Sequence, residues 1–202
     1  MVDVAKEVAS DGVAHEYGER RDVIVQAVIR LVARSGLRGV TYRSVAREAG
    51  VAHGLIAHHF GSIDALLEVG LLETIDSSVA GLDLHPSSGR LEDFASDLLE
   101  GVGRQPDHFA FQYQVMLEAR LSGDVKGQLA ILHGRYRQIL RDSLRDMGVP
   151  SDDATVELVY ALLEGVVFHQ LTHVDFASNS LALERLRSLL SMMSEAASQA
   201  RS

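Results

Sequence analysis

Apolar and polar positions alternate with a helical period along most of the chain. Between Arg20 and Ala33 the apolar side chains Val23, Ala27, Val28/Ile29 and Leu31/Val32 recur every three to four residues, one stripe of an amphipathic helix that stops at Ser35-Gly36. This predicts a first helix over about 19–35. Thr41 is placed to cap a short second helix through Ala49, Gly50 suits the left-handed turn that ends it, and a third helix is expected from Ala52 to His59. Ser62 then caps a longer helix carrying Leu66, Leu67, Val69, Leu71, Leu72 and Ile75. Pro86, Pro106 and Pro150 stand beside Gly or Ser where the period lapses, and punctuate further helices expected at about 90–102, 107–121, 125–147, 152–173 and 180–198. No run of β-branched alternation is long enough for a strand, so the expected fold class is all-α, with about nine helices.

Composition narrows the chemistry. With 202 residues, 47% of them apolar, the chain can bury a sizeable core as one large domain or two modest ones. The absence of Cys excludes disulfide scaffolds, zinc ribbons, iron–sulfur clusters and thiol catalysis, and fits a reducing cytosol. The first nineteen residues carry Lys6 and five acids rather than the apolar core of a secretory signal. The longest run without formal charge, Ala49 to Ile63, contains three His and falls short of the roughly 18 apolar residues of a membrane span. A cytoplasmic protein is the expectation.

A net charge of -9 argues against a nucleic-acid partner, but its distribution reverses the argument. Residues 1–19 carry -4 and residues 61–202 carry -10, whereas residues 20–60, with Arg20, Arg21, Arg30, Arg34, Arg38, Arg43 and Arg47, carry +5. A basic module attached to a larger acidic one is the asymmetry of a nucleic-acid-binding end.

The segment YRSVAREAGVAHGLIAHHF, residues 42–60, pairs two short helices through a turn at Gly50. Ala46 is small where steeply crossing helices approach, and Val45, Ala49, Val51 and Ile56 supply a seam against the first helix. That leaves Ala52, His53, Gly54, Ala57 and His58 on the outer face of the second helix, the one that enters a major groove in helix-turn-helix proteins. Thr41, Tyr42 and Arg43 sit beside the expected phosphate track.

The longer string VTYRSVAREAGVAHGLIAHHFGSIDALL resembles the DNA-binding module of the tetracycline-repressor (TetR) family, over about fifty residues, 18–68. The resemblance implies that Thr41 caps against a phosphate, that Arg43 lies at the groove edge, that His53, Gly54 and His58 face bases or backbone, and that His59 binds phosphate. It also implies that Phe60 packs the module's core and that Leu66-Leu67 anchor the next helix. Three positions depart from the family pattern: Ala57 replaces a common Tyr, Ile63 a common Lys, and Ala52 a common Ser or Thr. Each removes a polar contact, which predicts a shallow salt dependence of DNA binding. His beside phosphate is readily protonated, so affinity is expected to rise toward pH 6.

The acidic part shows no phosphate loop, no G-x-S-x-G and no H-E-x-x-H, which gives an enzyme reading no support. FAFQYQVMLEARLSGDVKGQLAILHGRYRQILRDSLRDMGV and ELVYALLEGVVFHQLTHVDF resemble the regulatory domain of BetI-type members of the same family, which implies dimerisation and a small-molecule pocket. Aromatic, Met and acidic positions nominate Phe111, Tyr113, Met116, Glu118, Tyr136, Glu164 and Phe168 as pocket residues. Glu118 and Glu164 would select a cationic ligand, or pair with Arg120, Arg137 or Arg141. The helix at 152–173 is apolar on more than one stripe and that at 180–198 offers a second, so Val159, Leu163, Val167, Leu186, Leu190 and Met193 are expected at a four-helix dimer interface.

His53, His58 and His59 are spaced wrongly for chelation on one helix, while His169 and His173, four apart, would meet their copies only across a two-fold axis. No metal or cofactor is assigned. The expected organisation is a flexible tail over 1–17, a helix-turn-helix domain over 18–62, and a ligand-binding and dimerisation domain over 63–202. The expected function is a homodimeric transcriptional repressor, released from a palindromic operator on double-stranded DNA by a small-molecule effector. The alternative is a helical ligand-binding or adaptor protein whose helix-turn-helix has degenerated.

Overall fold

The computed structural model describes residues 3–81, 84, 86–119, 126–173 and 176–200. Among these the order is α1 (Asp3–Ser35), a 3-10 turn (Leu37–Gly39), α2 (Tyr42–Ala49), α3 (His53–Phe60), α4 (Ile63–Gly81), a second 3-10 turn (Leu91–Asp93), α5 (Leu98–Arg104), α6 (Pro106–Ala119), α7 (Lys126–Asp146), α8 (Asp153–His173) and α9 (Phe176–Gln199). Nine α-helices and no strand appear among the described residues, as the periodicity predicts.

Two elements differ from expectation. The first helix reaches back to Asp3, through the stretch read as a flexible tail; Ala, Lys and Glu, good helix formers, populate it. The helix expected over 90–102 is broken: Ala95 takes a positive φ of 54°, and α5 starts at Leu98. Arg187 of α9 binds the carbonyls of Phe94 and Ala95, at 2.8 and 3.3 Å, satisfying acceptors that helix would otherwise have used. The ends expected at 121 and 125 lie outside the described residues.

The buried stripe of α1 is Ile24, Ala27, Val28, Leu31 and Val32, with Val23 left exposed. This stripe meets α2, α4 and α6. One apolar core runs from α1 through Val45, Ala46, Ile56 and Leu66 to Leu186 and Leu190 of α9, so the N-terminal helices are not a separately cored appendage. α8 is the inner helix of the C-terminal part and packs against α5, α6, α7 and α9. Among the described residues α8 is the one single helix long and apolar enough to cross a membrane, and α3 with α4 passes the same test only as a pair bent by 72°; the buried Val156, Val159, Tyr160, Leu163, Val166 and Val167 of α8 instead meet its own neighbours.

Candidate DNA interface and ligand cavity

The N-terminal helices are set by local chemistry. Thr41 caps α2: its Oγ1 accepts from the Ser44 N–H at 3.1 Å while the Ser44 hydroxyl oxygen accepts from the Thr41 N–H at 2.8 Å, a reciprocal box that satisfies two otherwise orphaned donors. Gly50 ends α2 at φ 69°, left-handed backbone that costs a glycine nothing. α3 starts three residues later and lays His53, Gly54, Ala57 and His58 on the solvent side, with Ile56 buried beneath. Arg43 and Arg47 are exposed on α2.

Not every nominated residue reaches that surface. The Tyr42 hydroxyl donates to the Gly61 carbonyl at 2.9 Å, so Tyr42 ties the start of α2 to the α3–α4 turn. Both ring nitrogens of His59 are buried, and its ring lies edge-on to His58 at 5.7 Å and tilted against Phe60 at 6.0 Å. In this arrangement His59 packs rather than reaches for phosphate. Burial first, then His58, Arg21 and Arg20, push its pKa below the ordinary His value, so it is a poor source for tighter DNA binding toward pH 6.

Two further contacts were not legible from spacing. Glu48 of α2 binds Arg34 at 2.6 Å and Arg30 at 3.4 Å, removing two cations of α1 from the basic count and joining the helices. Arg21 lies over the Phe60 ring at 5.6 Å.

The C-terminal helices enclose a cavity with about 50 Å³ of room for the centres of water-sized molecules. Its wall includes Tyr113, Met116, Tyr136 and Glu164, four of the nominated residues, together with Phe109, Gln112, Tyr160, Leu163 and Val167. Helix phase separates hits from misses. Phe109, Gln112, Tyr113 and Met116 share one face of α6, whereas Phe111 and Glu118 are each two residues out of step, about 200° around. Phe111 is fully buried against Gly70 of α4 instead. On α8 the inward row is Tyr160, Leu163, Glu164 and Val167. Phe168, one residue further, is 44% exposed and meets the Tyr113 ring edge-to-face at 5.4 Å.

Glu164 is held by phenols. The Tyr160 hydroxyl donates to Glu164 Oε1 at 2.8 Å. Its single hydrogen being spent there, the 2.6 Å contact with His133 Nδ1 requires that nitrogen to donate to the Tyr160 oxygen. The Tyr113 hydroxyl donates to the Glu164 backbone carbonyl at 3.1 Å. Burial, and next the Glu164 charge, push both phenols far above the ordinary tyrosine value, so both remain donors. The arginines considered as partners are engaged elsewhere: Arg137 binds Glu157 through two bonds at 2.6 and 2.9 Å, and Arg141 binds Asp153 at 2.9 Å. Arg120 lies outside the described residues.

The nominated dimer residues require a change of register. Val159, Leu163, Val167, Leu186 and Leu190 are all buried within their own chain, two of them on the cavity wall, and Met193 is partly buried. They pack the core because α8 turns its stripe toward α5 and α7, and α9 turns its own toward α5 and α8. The large apolar side chains left outside on the same helices, among the described residues, are Leu158, Phe168, Phe176, Leu181, Leu189 and Met192. His169 and His173 form an edge-to-face pair at 5.9 Å; among the described residues no three ligating side chains cluster for a metal.

A basic helix-turn-helix packed onto a helical domain with an internal cavity defines a ligand-binding DNA-binding protein. Residues 24–69 match the family description "Bacterial regulatory proteins, tetR family", and residues 86–192 match "Tetracyclin repressor-like, C-terminal domain". The HTH-type transcriptional regulator BetI of Agrobacterium fabrum is 33% identical over 159 residues, 73% of this chain and 74% of that protein. Among solved structures, a TetR-family transcriptional regulator from Rhodococcus sp. superposes with a TM-score of 0.71 at 24% identity, covering 87% of this chain and 99% of the other. A transcriptional regulator from Saccharomonospora viridis in complex with choline superposes with a TM-score of 0.69 at 22% identity, covering 86% and 96%. The chain belongs to the TetR family of bacterial transcriptional regulators. It is a DNA-binding regulator with a ligand-binding C-terminal domain, not an enzyme, and the adaptor alternative falls away.

Proposed function

We propose that the protein is a cytoplasmic homodimeric repressor that holds a palindromic operator through Arg43, His53, Gly54 and His58, and is released when a small molecule fills the C-terminal cavity. One observation carries this reading: α6 faces both ways. Its Gln112 lines the cavity and donates to the Ser78 hydroxyl of α4 at 3.2 Å, while its Phe111 packs at Gly70 of α4 beside Val28 of α1. A ligand that shifts α6 therefore moves the two helices that carry the helix-turn-helix. A transcriptional regulator of the same fold from Saccharomonospora viridis, solved in complex with choline, supports a small-molecule effector.

Such coupling is a population shift: the effector must favour the form that binds operator poorly, and operator must weaken effector binding by the same factor. Selection from a random DNA library at two salt concentrations tests the DNA half. The expected result is an enriched palindrome with half-sites separated by one or more helical turns. Purely salt-sensitive, sequence-independent retention would sink the reading.

A further inference from the structure

The two histidines at the end of α8 belong neither to the DNA interface nor to the cavity, and what they can bind is independent of the proposed function. His169 and His173 stand four residues apart in HQLTH, both exposed, at the C-terminal end of α8. That spacing is about one helical turn, with roughly 40° of rotation between them, so both imidazoles lie on one face. Their rings already meet edge-to-face at 5.9 Å. Two imidazoles one turn apart on a helix can grip a single divalent transition-metal ion, each through one ring nitrogen. Both side chains are exposed, so the rotation that aims them at one ion meets no core packing.

Thr172 decides which nitrogen His173 offers. The Thr172 hydroxyl donates its single hydrogen to the Phe168 carbonyl at 2.8 Å. The 2.8 Å contact between the same oxygen and His173 Nδ1 therefore has the ring nitrogen as donor. With its hydrogen on Nδ1, His173 keeps the Nε2 lone pair for an ion. Ligating histidines are held in this way, the second nitrogen donating to an oxygen that fixes tautomer and ring orientation. Helix position adds to the attraction, since the carbonyl end of the helix dipole favours a cation and residues 168–173 contain no Lys or Arg to supply one. We propose that His169 and His173 chelate one divalent transition-metal ion of the imidazole-preferring class (Zn²⁺, Ni²⁺, Cu²⁺) through their Nε2 atoms, with Thr172 holding His173 in the ligating tautomer. With these two protein ligands, the remaining coordination positions fall to water. Mg²⁺, which prefers oxygen ligands, should not bind there.

Calorimetric titration of Ni²⁺ into the full-length protein, purified without a histidine tag, should show one ion bound per chain, and Ni²⁺ should raise the melting temperature. His169→Gln and His173→Gln should each weaken this binding at least roughly tenfold, with the helical spectrum and the metal-free melting temperature unchanged because both positions are exposed. His108→Gln, on α6, should leave it intact. Thr172→Val should weaken Ni²⁺ several-fold, and Thr172→Ser, which keeps the hydroxyl, should restore it; a merely structural threonine would alter melting alone. No binding of Ni²⁺, full affinity in the His169→Gln/His173→Gln double variant, or Mg²⁺ binding as tight as Ni²⁺ would overturn the proposal. One ion per two chains would overturn chelation within one chain in favour of a shell shared by two copies.

Discussion

Two glycines show how a single residue divides stability from function. A Cβ on Gly54 meets nothing within 4 Å, but it stands on the exposed face of α3. Gly54→Ala is expected to raise stability by up to about 1 kcal/mol through helix propensity while weakening operator binding, since the methyl fills space where DNA backbone approaches. A Cβ on Gly70 would lie 3.1 Å from Phe111 and 3.4 Å from Val28, both fully buried. Gly70→Ala should therefore lose about 1 kcal/mol net, overpacking outweighing propensity. Thermal melting of both variants, with operator titration, checks the pair; a stabilised Gly70→Ala would refute the tight three-helix contact. At this scale the sequence was most legible where a residue acts on its own backbone, as Thr41 and Gly50 do. It was least legible at Phe111 and His59, whose types suggest a ligand or phosphate contact but whose helix phase turns them inward.

Helices were legible through their period, and their junctions were not. The break before α5 depends on Arg187, 92 and 93 residues away from the carbonyls it binds. The α1–α2 junction depends likewise on Glu48 meeting two arginines a helix away. The Arg34 hydrogen bond, with Arg30 assisting, holds the Glu48 pKa below its ordinary 4.5 against the opposing effect of burial. Because the folded-state value is depressed, this contribution is present above the unfolded value and is lost as pH falls from about 4.5 through the folded value. Glu48→Gln is expected to cost no more than about 1 kcal/mol at pH 7 and to cost progressively less below pH about 4.5, because the pair is partly exposed. Chemical denaturation at pH 7 and pH 3.5 measures this; an equal cost at both values would mean that Glu48 acts through packing rather than charge.

At the scale of the molecule, one core extends from the helix-turn-helix to α9, so the proposed competition between ligand and DNA would run through packing they share. The exposed Leu158, Leu181, Leu189 and Met192 form the face on which the proposed homodimer would close. Leu189→Glu with Met192→Glu should yield a folded monomer by sedimentation with much reduced operator affinity, whereas Leu186→Glu, which puts a charge at a 4% exposed position, should unfold the chain. A double variant that stays dimeric would move the interface elsewhere. The sequence by itself determined the all-α class, the helix-turn-helix with its caps, and the basic head on an acidic body, because these follow from neighbours along the chain and from the helical period. Only the tertiary structure decided which stripe of α8 and α9 faces inward, which α6 residues line the cavity, and which arginines are already paired. An amphipathic pattern states that a face is buried; what buries it depends on partners distant in sequence.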